Sequence, residues 1–263
     1  MLLAVCFTVS GCGSSKEPAN LDSQTQTSST AAMPSSAKKS VDPATVAVLK
    51  GRVIFTGQAP APKNISVRGN PECATFHKEG SIPSEELVVN ATDHAGAVKN
   101  AFVYIKEGLE EYSFETPPGS VTIENKECRY VPHVTGVQVN QNVLIVNDDP
   151  TLHNVHTYSK NSKSWNLGMP VQGMKVTKKF TNPEVMVSLK CDVHPWMLGY
   201  VGVLTHPYFY VTDLNGEFEL KNLPPGKYVV EVWHEKLGTQ SQTVEIGPRE
   251  TKEMEFRFPP SRE

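Results

Sequence analysis

The chain has 263 residues, with 25 basic and 28 acidic side chains and a formal net charge of −3. This balance provides no polycationic surface of the kind that nucleic acids or anionic lipids attract. The length exceeds what one small β-domain needs, so we expect two folded domains after a targeting segment.

The amino terminus carries an apolar run from Leu2 to Val9, followed by small residues and Cys12. The Val-Ser-Gly-Cys sequence that ends at Cys12 resembles a bacterial lipobox, which predicts a signal peptide over residues 1–12 and lipid attachment at Cys12. The run is far shorter than the roughly 20 apolar residues of a membrane-spanning helix. A plain secretory signal is the alternative. Both interpretations predict export to the bacterial cell envelope, in the periplasm or on the outer surface.

Composition changes along the rest of the chain. Residues 13–45 are rich in Ser, Thr, Ala, Gln and Lys and nearly lack large apolar side chains, which predicts a disordered linker. From Val46 onward, short β-branched and aromatic runs are separated by Gly, Pro and Asn, and no long stretch has a helical period. We therefore predict an all-β fold, with helical turns limited to short segments such as Pro71 to His77.

Two motifs in the C-terminal part are typical of turns between strands. Val211-Thr-Asp-Leu-Asn-Gly216 is a tight turn, and Leu223-Pro-Pro-Gly226 interrupts the chain before another strand. They resemble the closing half of the carboxypeptidase regulatory-like (transthyretin-like) β-sandwich, and the segments 51–57 and 98–104 resemble its opening half. The resemblance implies that a second β-sandwich is inserted into this one. The predicted domains are residues 46–118 with 207–258, and residues 119–206.

A Cys-x2-His-x2-Met loop is the strongest local pattern, with Cys191, His194 and Met197 between two predicted strands. Thiolate and thioether sulfurs suit Cu(I), and imidazole suits both oxidation states of copper. One tight turn directs these donors to a common point, so a fourth donor has to come from a neighbouring strand. The sequence therefore predicts a site for one copper ion.

Two histidines upstream compete for the fourth position. His153 and His156 are three residues apart on a predicted strand, so their side chains point to opposite faces. His153 shares its face with Val155, whereas His156 shares its face with Asn154. We predict His153 as the metal ligand and His156 as a surface residue.

In order and spacing, these four residues resemble the copper loop of cupredoxins, in the short form found in amicyanin, over residues 119–206. The resemblance implies a Greek-key β-sandwich that holds a mononuclear type 1 (blue) copper ion and carries single electrons between redox proteins. It also implies that Asn154 ties the ligand loops together and donates a hydrogen bond near the Cys191 sulfur.

The copper loop carries three further residues to which we assign roles. Val193 stands where amicyanin-like loops often have proline, and its free N–H is expected to donate to the Cys191 sulfur. Pro195 and Trp196 are expected to form an apolar docking patch around a His194 imidazole that reaches solvent.

The remaining cysteines require an explanation in an oxidising compartment. Cys73 and Cys128 are predicted to form a disulfide that ties the inserted domain to the outer sandwich. Free thiols are one alternative. A second metal site, with Cys128 beside His133 or Cys73 beside His77, is another.

We expect no catalytic residues and no small-molecule substrate, because the predicted copper has all its protein ligands and no second metal with open positions is visible in the sequence. The function predicted is electron transfer between redox proteins. Two alternatives remain open: copper storage or delivery, and a structural or adhesive surface module that copper stabilises.

Overall fold

The computed structural model describes residues 38–92 and 94–260, together with the single residues Ala4 and Thr8. The predicted lipid-attachment site at Cys12 and most of the predicted linker lie outside the described residues. Among the residues that are described, no helix is long and apolar enough to cross a membrane.

The described chain is almost entirely β-structure, which confirms the predicted all-β fold class. Its helix is α1 (Pro71–Phe76), and it lies where a short helical turn was expected. The strands, in chain order, are β1 (Ala47–Phe55), β2 (Asn64–Ser66), β3 (Ser81–Pro83), β4 (Phe102–Glu107), β5 (Val121–Lys126), β6 (Arg129–Val131), β7 (Val134–Gln138), β8 (Val143–Asn147), β9 (His153–Tyr158), β10 (Asn166–Met169), β11 (Lys175–Lys178), β12 (Glu184–Lys190), β13 (Leu198–Leu204), β14 (Phe209–Val211), β15 (Glu217–Leu223), β16 (Gly226–His234), β17 (Gly238–Ile246) and β18 (Thr251–Phe258).

Two sheets share the first hydrophobic core. One has the strand order β15-β1-β18, and the other has the order β14-β4-β16-β17. Their inward side chains, such as Val53, Val103, Phe218, Val230 and Phe256, belong to a single buried cluster. All of these strands come from the two ends of the described chain.

Two further sheets share a second core and come from the middle of the chain. Their strand orders are β10-β9-β12-β13-β7 and β11-β8-β5-β6. Ile123, Val155, Val187 and Val201 are fully or almost fully buried in this core. The candidate metal ligands lie on and beside β9, β12 and β13 of the five-stranded sheet.

The side chains of strand β4 alternate between the first core and a third, smaller buried cluster. Val103 points into the first core, whereas the Phe102 ring belongs to the third cluster and packs against β7 and β13. Gly136 and Gly202 are paired across these two strands, and a Cβ atom on either would lie 2.3 Å from an aromatic carbon of Phe209 or Phe102, respectively. Two paired glycines therefore provide the flat backbone surface on which the aromatic rings lie.

Residues 64–83, here called the cover segment, belong to the second core rather than the first. They form the hairpin β2–β3 with α1 between its strands, and they bury Val67, Cys73 and Ile82 against the middle part of the chain. Cys73 and Cys128 form a disulfide with 5.8 Å between their Cα atoms. The cover segment lies within the range 46–118 that the sequence assigned to the outer sandwich. The cover segment packs against the second core instead of the outer sandwich, because its few apolar side chains face the second core.

Removing this disulfide tests how strongly it stabilises the fold. We expect the Cys73→Ser/Cys128→Ser double variant to lose about 2–4 kcal/mol of unfolding free energy, because the bond restricts the unfolded chain across a separation of 55 residues. Urea denaturation without reductant measures the loss, and peptide mapping of the wild type verifies the Cys73–Cys128 link. Identical unfolding free energies for the variant and the mapped wild type would contradict this expectation.

Candidate metal centre

The loop between β12 and β13 brings Cys191, His194 and Met197 together. Lys190 and Leu198 are paired where the loop leaves and re-enters the sheet. The Met197 N–H donates to the His194 carbonyl at 2.9 Å, and the Cys191 N–H donates to the Met197 carbonyl at 3.3 Å. These backbone bonds close the loop on itself, and all three side chains are buried.

His153 reaches the loop from the start of strand β9, which pairs with β12. Its Nδ1 atom lies 3.0 Å from the Nδ1 atom of His194, and both imidazoles are completely buried. One donor atom each from His153, Cys191 and His194 lies within 4.8 Å of the others. His156 points to the opposite side, where it lies 3.3 Å from the Asp192 carboxylate and is partly exposed.

The surroundings of Cys191 favour its thiolate. Burial alone would raise the pKa of the thiol, but hydrogen bonds with His153 and His194 and with the backbone of Asn154 and His194 lower it to about 6. A metal ligand has to be deprotonated, so a lowered pKa prepares the sulfur for coordination.

Asp149 is a functional residue that the sequence analysis missed. Its carboxylate accepts hydrogen bonds from the N–H groups of Glu127 (2.7 Å) and Cys128 (2.9 Å) and from Nε2 of His153 (2.8 Å). Burial tends to raise the pKa of Asp149, yet these bonds outweigh burial and lower it. Because Nε2 of His153 donates to the carboxylate, Nδ1 keeps the lone pair that faces the site. The only sequence signal was an acidic residue four positions before His153.

Asn70, in the cover segment, was also missed. Its side-chain Nδ2 lies 2.9 Å from Nε2 of His194. His194 was expected to reach solvent, and this expectation is wrong: the imidazole has 0% relative exposure because the cover segment lies over it. No local sequence pattern connects residues 124 positions apart.

Asn154 links the two ligand-bearing segments. Its Oδ1 accepts from the Asp192 N–H at 2.7 Å and lies 3.3 Å from the Cys191 sulfur, while its Nδ2 donates to the Asn166 and Asp192 side chains. The side-chain NH2 group therefore points away from the sulfur, and a hydrogen bond from the backbone of Asn154 helps to lower the pKa of the Cys191 thiol.

Val193 and its neighbours form the outer surface of the loop. The backbone groups that lower the pKa of the Cys191 thiol are those of Asn154 and His194, the residue three positions after the cysteine. Val193 is 43% exposed and Pro195 is exposed. Trp196 is half-buried: its ring lies 5.2 Å from that of His194, and its Nε1–H donates to the Cys128 carbonyl at 3.1 Å.

The donor set fits a soft transition metal. The set contains two imidazoles, which suit both common oxidation states of copper, and a thiol with a lowered pKa and a buried thioether, which suit Cu(I). Asp149 accepts the hydrogen on Nε2 of His153, so Nδ1 of a neutral His153 presents its lone pair to the site.

No protein-family model matches the chain, and no curated protein matches it. Among solved structures, it is similar to a copper-containing nitrite reductase from Thermus scotoductus, with 20% identity and a TM-score of 0.30 over 37% of this chain and 24% of that one. It is also similar to a purple cupredoxin from Nitrosopumilus maritimus, with 25% identity and a TM-score of 0.27 over 31% of this chain and 97% of that one.

A third similar structure is a methionine-to-alanine mutant of amicyanin in the Cu(I) state. The identity is 23% and the TM-score is 0.29, over 38% of this chain and 97% of that one. The chain thus spans only about a quarter of the nitrite reductase.

Asp149→Asn tests the hydrogen bond to His153. An amide offers one acceptor oxygen, so its NH2 group would face one of the three N–H groups that the carboxylate now accepts. We expect Cu(I) affinity, measured by chelator competition, to fall about 10- to 100-fold. Asp148→Asn is the matched control, because that neighbouring carboxylate is only half-buried. Equal affinities of the two variants would contradict the role of Asp149.

Proposed function

We propose that the protein holds one copper ion in a type 1 site formed by His153, Cys191, His194 and Met197, and that it carries single electrons between redox proteins. The observation that supports this proposal best is the convergence of two buried Nδ1 atoms and one buried sulfur. When bound, copper would supply a one-electron couple between Cu(I) and Cu(II).

The chain's own contribution is to fix the donors. Asp149 orients His153, the backbone bonds of the loop hold Cys191 and Met197, and the sheet joins β9 to β12. A rigid and buried donor set limits rearrangement when the oxidation state changes, which favours fast electron exchange. These features support a cupredoxin-like role for the middle part of the chain.

We further propose that the protein is exported and anchored to a bacterial membrane through a lipid on Cys12. The disulfide between Cys73 and Cys128 supports an oxidising compartment, because such bonds are rare in the cytosol. The linker would let the folded part reach redox partners at a distance from the membrane.

Copper storage or delivery is the second candidate, and the burial of His194 favours it. An electron carrier benefits from a ligand edge close to its partner, whereas the cover segment encloses this one. The rate of electron exchange separates the two candidates, since a storage protein needs none.

The colour of the oxidised protein tests the proposed site. Thiolate-to-copper charge transfer makes type 1 sites blue, so we expect an intense blue band for Cu(II)-loaded wild type and no band for Cys191→Ser. His153→Ala should alter the spectrum strongly, and His156→Ala should leave it nearly unchanged because that ring lies outside the site. A colourless wild type with stoichiometric Cu(II) would refute the type 1 assignment.

Electron self-exchange tests the predicted docking patch. Trp196 is unsuitable for this test because its Nε1–H holds the Cys128 carbonyl, so the exposed Pro195 is the better position. We expect Pro195→Asp to slow self-exchange at least several-fold, since docking would have to desolvate the new charge. Leu214→Asp is the matched control. It adds the same charge at a residue that is 54% exposed and lies in the connection between β14 and β15. Equal rates in NMR line-broadening measurements would exclude the patch, and no exchange in the wild type would favour storage.

A further inference from the structure

Glu235 connects the strands of the first core to the middle part of the chain. It lies in the turn between β16 and β17, and its side chain is only 6% exposed. One oxygen of its carboxylate pairs with Nε2 of His133, and the other accepts from the Tyr200 hydroxyl at 3.1 Å. His133 directly precedes β7, and Tyr200 lies on β13. A single carboxylate thus holds two side chains that belong to the sheet of the candidate metal centre.

Aromatic contacts keep this carboxylate in place. The Trp233 ring, near the end of β16, lies 4.9 Å from the Tyr200 ring, which in turn lies 5.6 Å from the His133 ring. His133 is 7% exposed, so water cannot easily replace its partner on Glu235. The end of the β16–β17 hairpin is therefore fixed against β13 by packing as well as by hydrogen bonds.

His133 extends the pairing of β7 with β13 toward the metal ligands. The parallel register of the two strands begins at Tyr200 and Val134, and the Tyr200 N–H donates to the His133 carbonyl at 2.9 Å. Nδ1 of His133 lies 3.1 Å from the Leu198 carbonyl, and it donates because a carbonyl can only accept. Leu198 directly follows Met197. The imidazole thus adds one bond to this pairing, beside the residue expected to be the axial ligand.

The loop between β12 and β13 has an open space on this side. A cleft of about 270 Å³ separates the loop from the cover segment, and its lining includes Pro195, Trp196, Met197 and Leu198. Side chains beside a cleft lack packing partners there. Within the loop, the Cys191 N–H donates to the Met197 carbonyl over a long 3.3 Å. The position of Met197 therefore depends on how firmly the Leu198 carbonyl is held.

We propose that Glu235, acting through His133, positions Met197 as the axial ligand of the copper ion. This inference rests on the proposed metal site. Without the carboxylate, His133 loses its outer partner, and Leu198 and Met197 can shift toward the cleft. A more distant thioether donates less to Cu(II), which raises the reduction potential. The strands of the first core then have a role in tuning the copper site of the second.

The reduction potential of the copper-loaded protein tests this positioning role. We expect Glu235→Ala to raise the potential, in the same direction as Met197→Leu and by less. In the Met197→Leu background, Glu235→Ala should add no further shift, because the thioether through which it acts is absent. Voltammetry of the four proteins measures these shifts. An unchanged potential in Glu235→Ala, or a shift that adds fully to that of Met197→Leu, would overturn the proposal.

Glu231→Ala is the matched control for the loss of a buried carboxylate. Glu231 lies on the same strand, β16, is 8% exposed and accepts from the Tyr104 hydroxyl at 2.5 Å and from the Lys106 amine at 2.7 Å. Its partners lie on β4 rather than beside the metal ligands. We expect Glu231→Ala to leave the potential unchanged. A shift equal to that of Glu235→Ala would mean that general destabilisation causes both, and the proposal would be wrong.

Amide hydrogen exchange separates the role of Glu235 from the copper assignment. With or without bound copper, we expect the Met197 N–H to exchange roughly tenfold faster in Glu235→Ala. Glu235→Gln should restore most of the protection, since its amide oxygen can still accept from His133. Tyr200→Phe removes only the hydroxyl that holds Glu235, so it should give a smaller acceleration and remains a test if Glu235→Ala does not fold.

The exchange results have a clear meaning in each case. Unchanged exchange of the Met197 N–H in Glu235→Ala and Tyr200→Phe would overturn the proposal, as would equally fast exchange in Glu235→Gln and Glu235→Ala. Faster exchange together with a colourless Cu(II) complex would support the hold of Glu235 on the loop and refute only the type 1 site.

Discussion

A buried imidazole needs a hydrogen-bond or metal partner at each ring nitrogen, and this requirement governs the candidate metal centre. His153 and His194 face each other through their Nδ1 atoms, so each needs a second partner on its outer side. Asp149 fills that position for His153, and Asn70 fills it for His194. The Asp149 carboxylate can only accept, so Nδ1 of a neutral His153 keeps its lone pair on the side that faces His194. Each buried ring thus has a polar side chain on its outer side.

The disulfide between Cys73 and Cys128 connects the segments that hold Asn70 and Asp149 in place. Asn70 caps the helix that carries Cys73, and Asp149 accepts from the N–H of Cys128, to which Cys73 is bonded. Trp196 adds a further link through its bond to the Cys128 carbonyl. The sulfur atoms of the disulfide also lie within 4.8 Å of a ring nitrogen of His194. Besides stabilising the fold, the disulfide thus helps to position Asn70 and Asp149, the residues that contact His194 and His153.

Short-range patterns in the sequence predicted that the side chains of His153, Cys191 and His194 lie close together. The Cys-x2-His-x2-Met spacing set the loop, and the two-residue period of a strand separated His153 from His156. The partners Asn70 and Asp149 were not predictable in this way, since each acts through a tertiary contact that no local spacing encodes. The prediction that His194 is exposed was wrong for the same reason: the cover segment, which buries it, is remote in sequence.

The fold class followed from β-branched and aromatic runs, but some strands carry little of this signal. Strand β17 (Gly238–Ile246) is mostly polar and exposed along one edge of its sheet, so its sequence does not mark it as a strand. The three-residue strands β2 and β3 are too short to show a periodic pattern. Both are stabilised by pairing with neighbours rather than by their own sequence.

The central claim is that His153, Cys191, His194 and Met197 bind one copper ion. X-ray absorption at the copper edge tests this claim most directly. For the loaded protein it should show one sulfur and two nitrogen neighbours at short distance in both oxidation states, with only small changes between them. A copper site with nitrogen and oxygen neighbours alone, or one that gains and loses ligands with oxidation state, would contradict that claim.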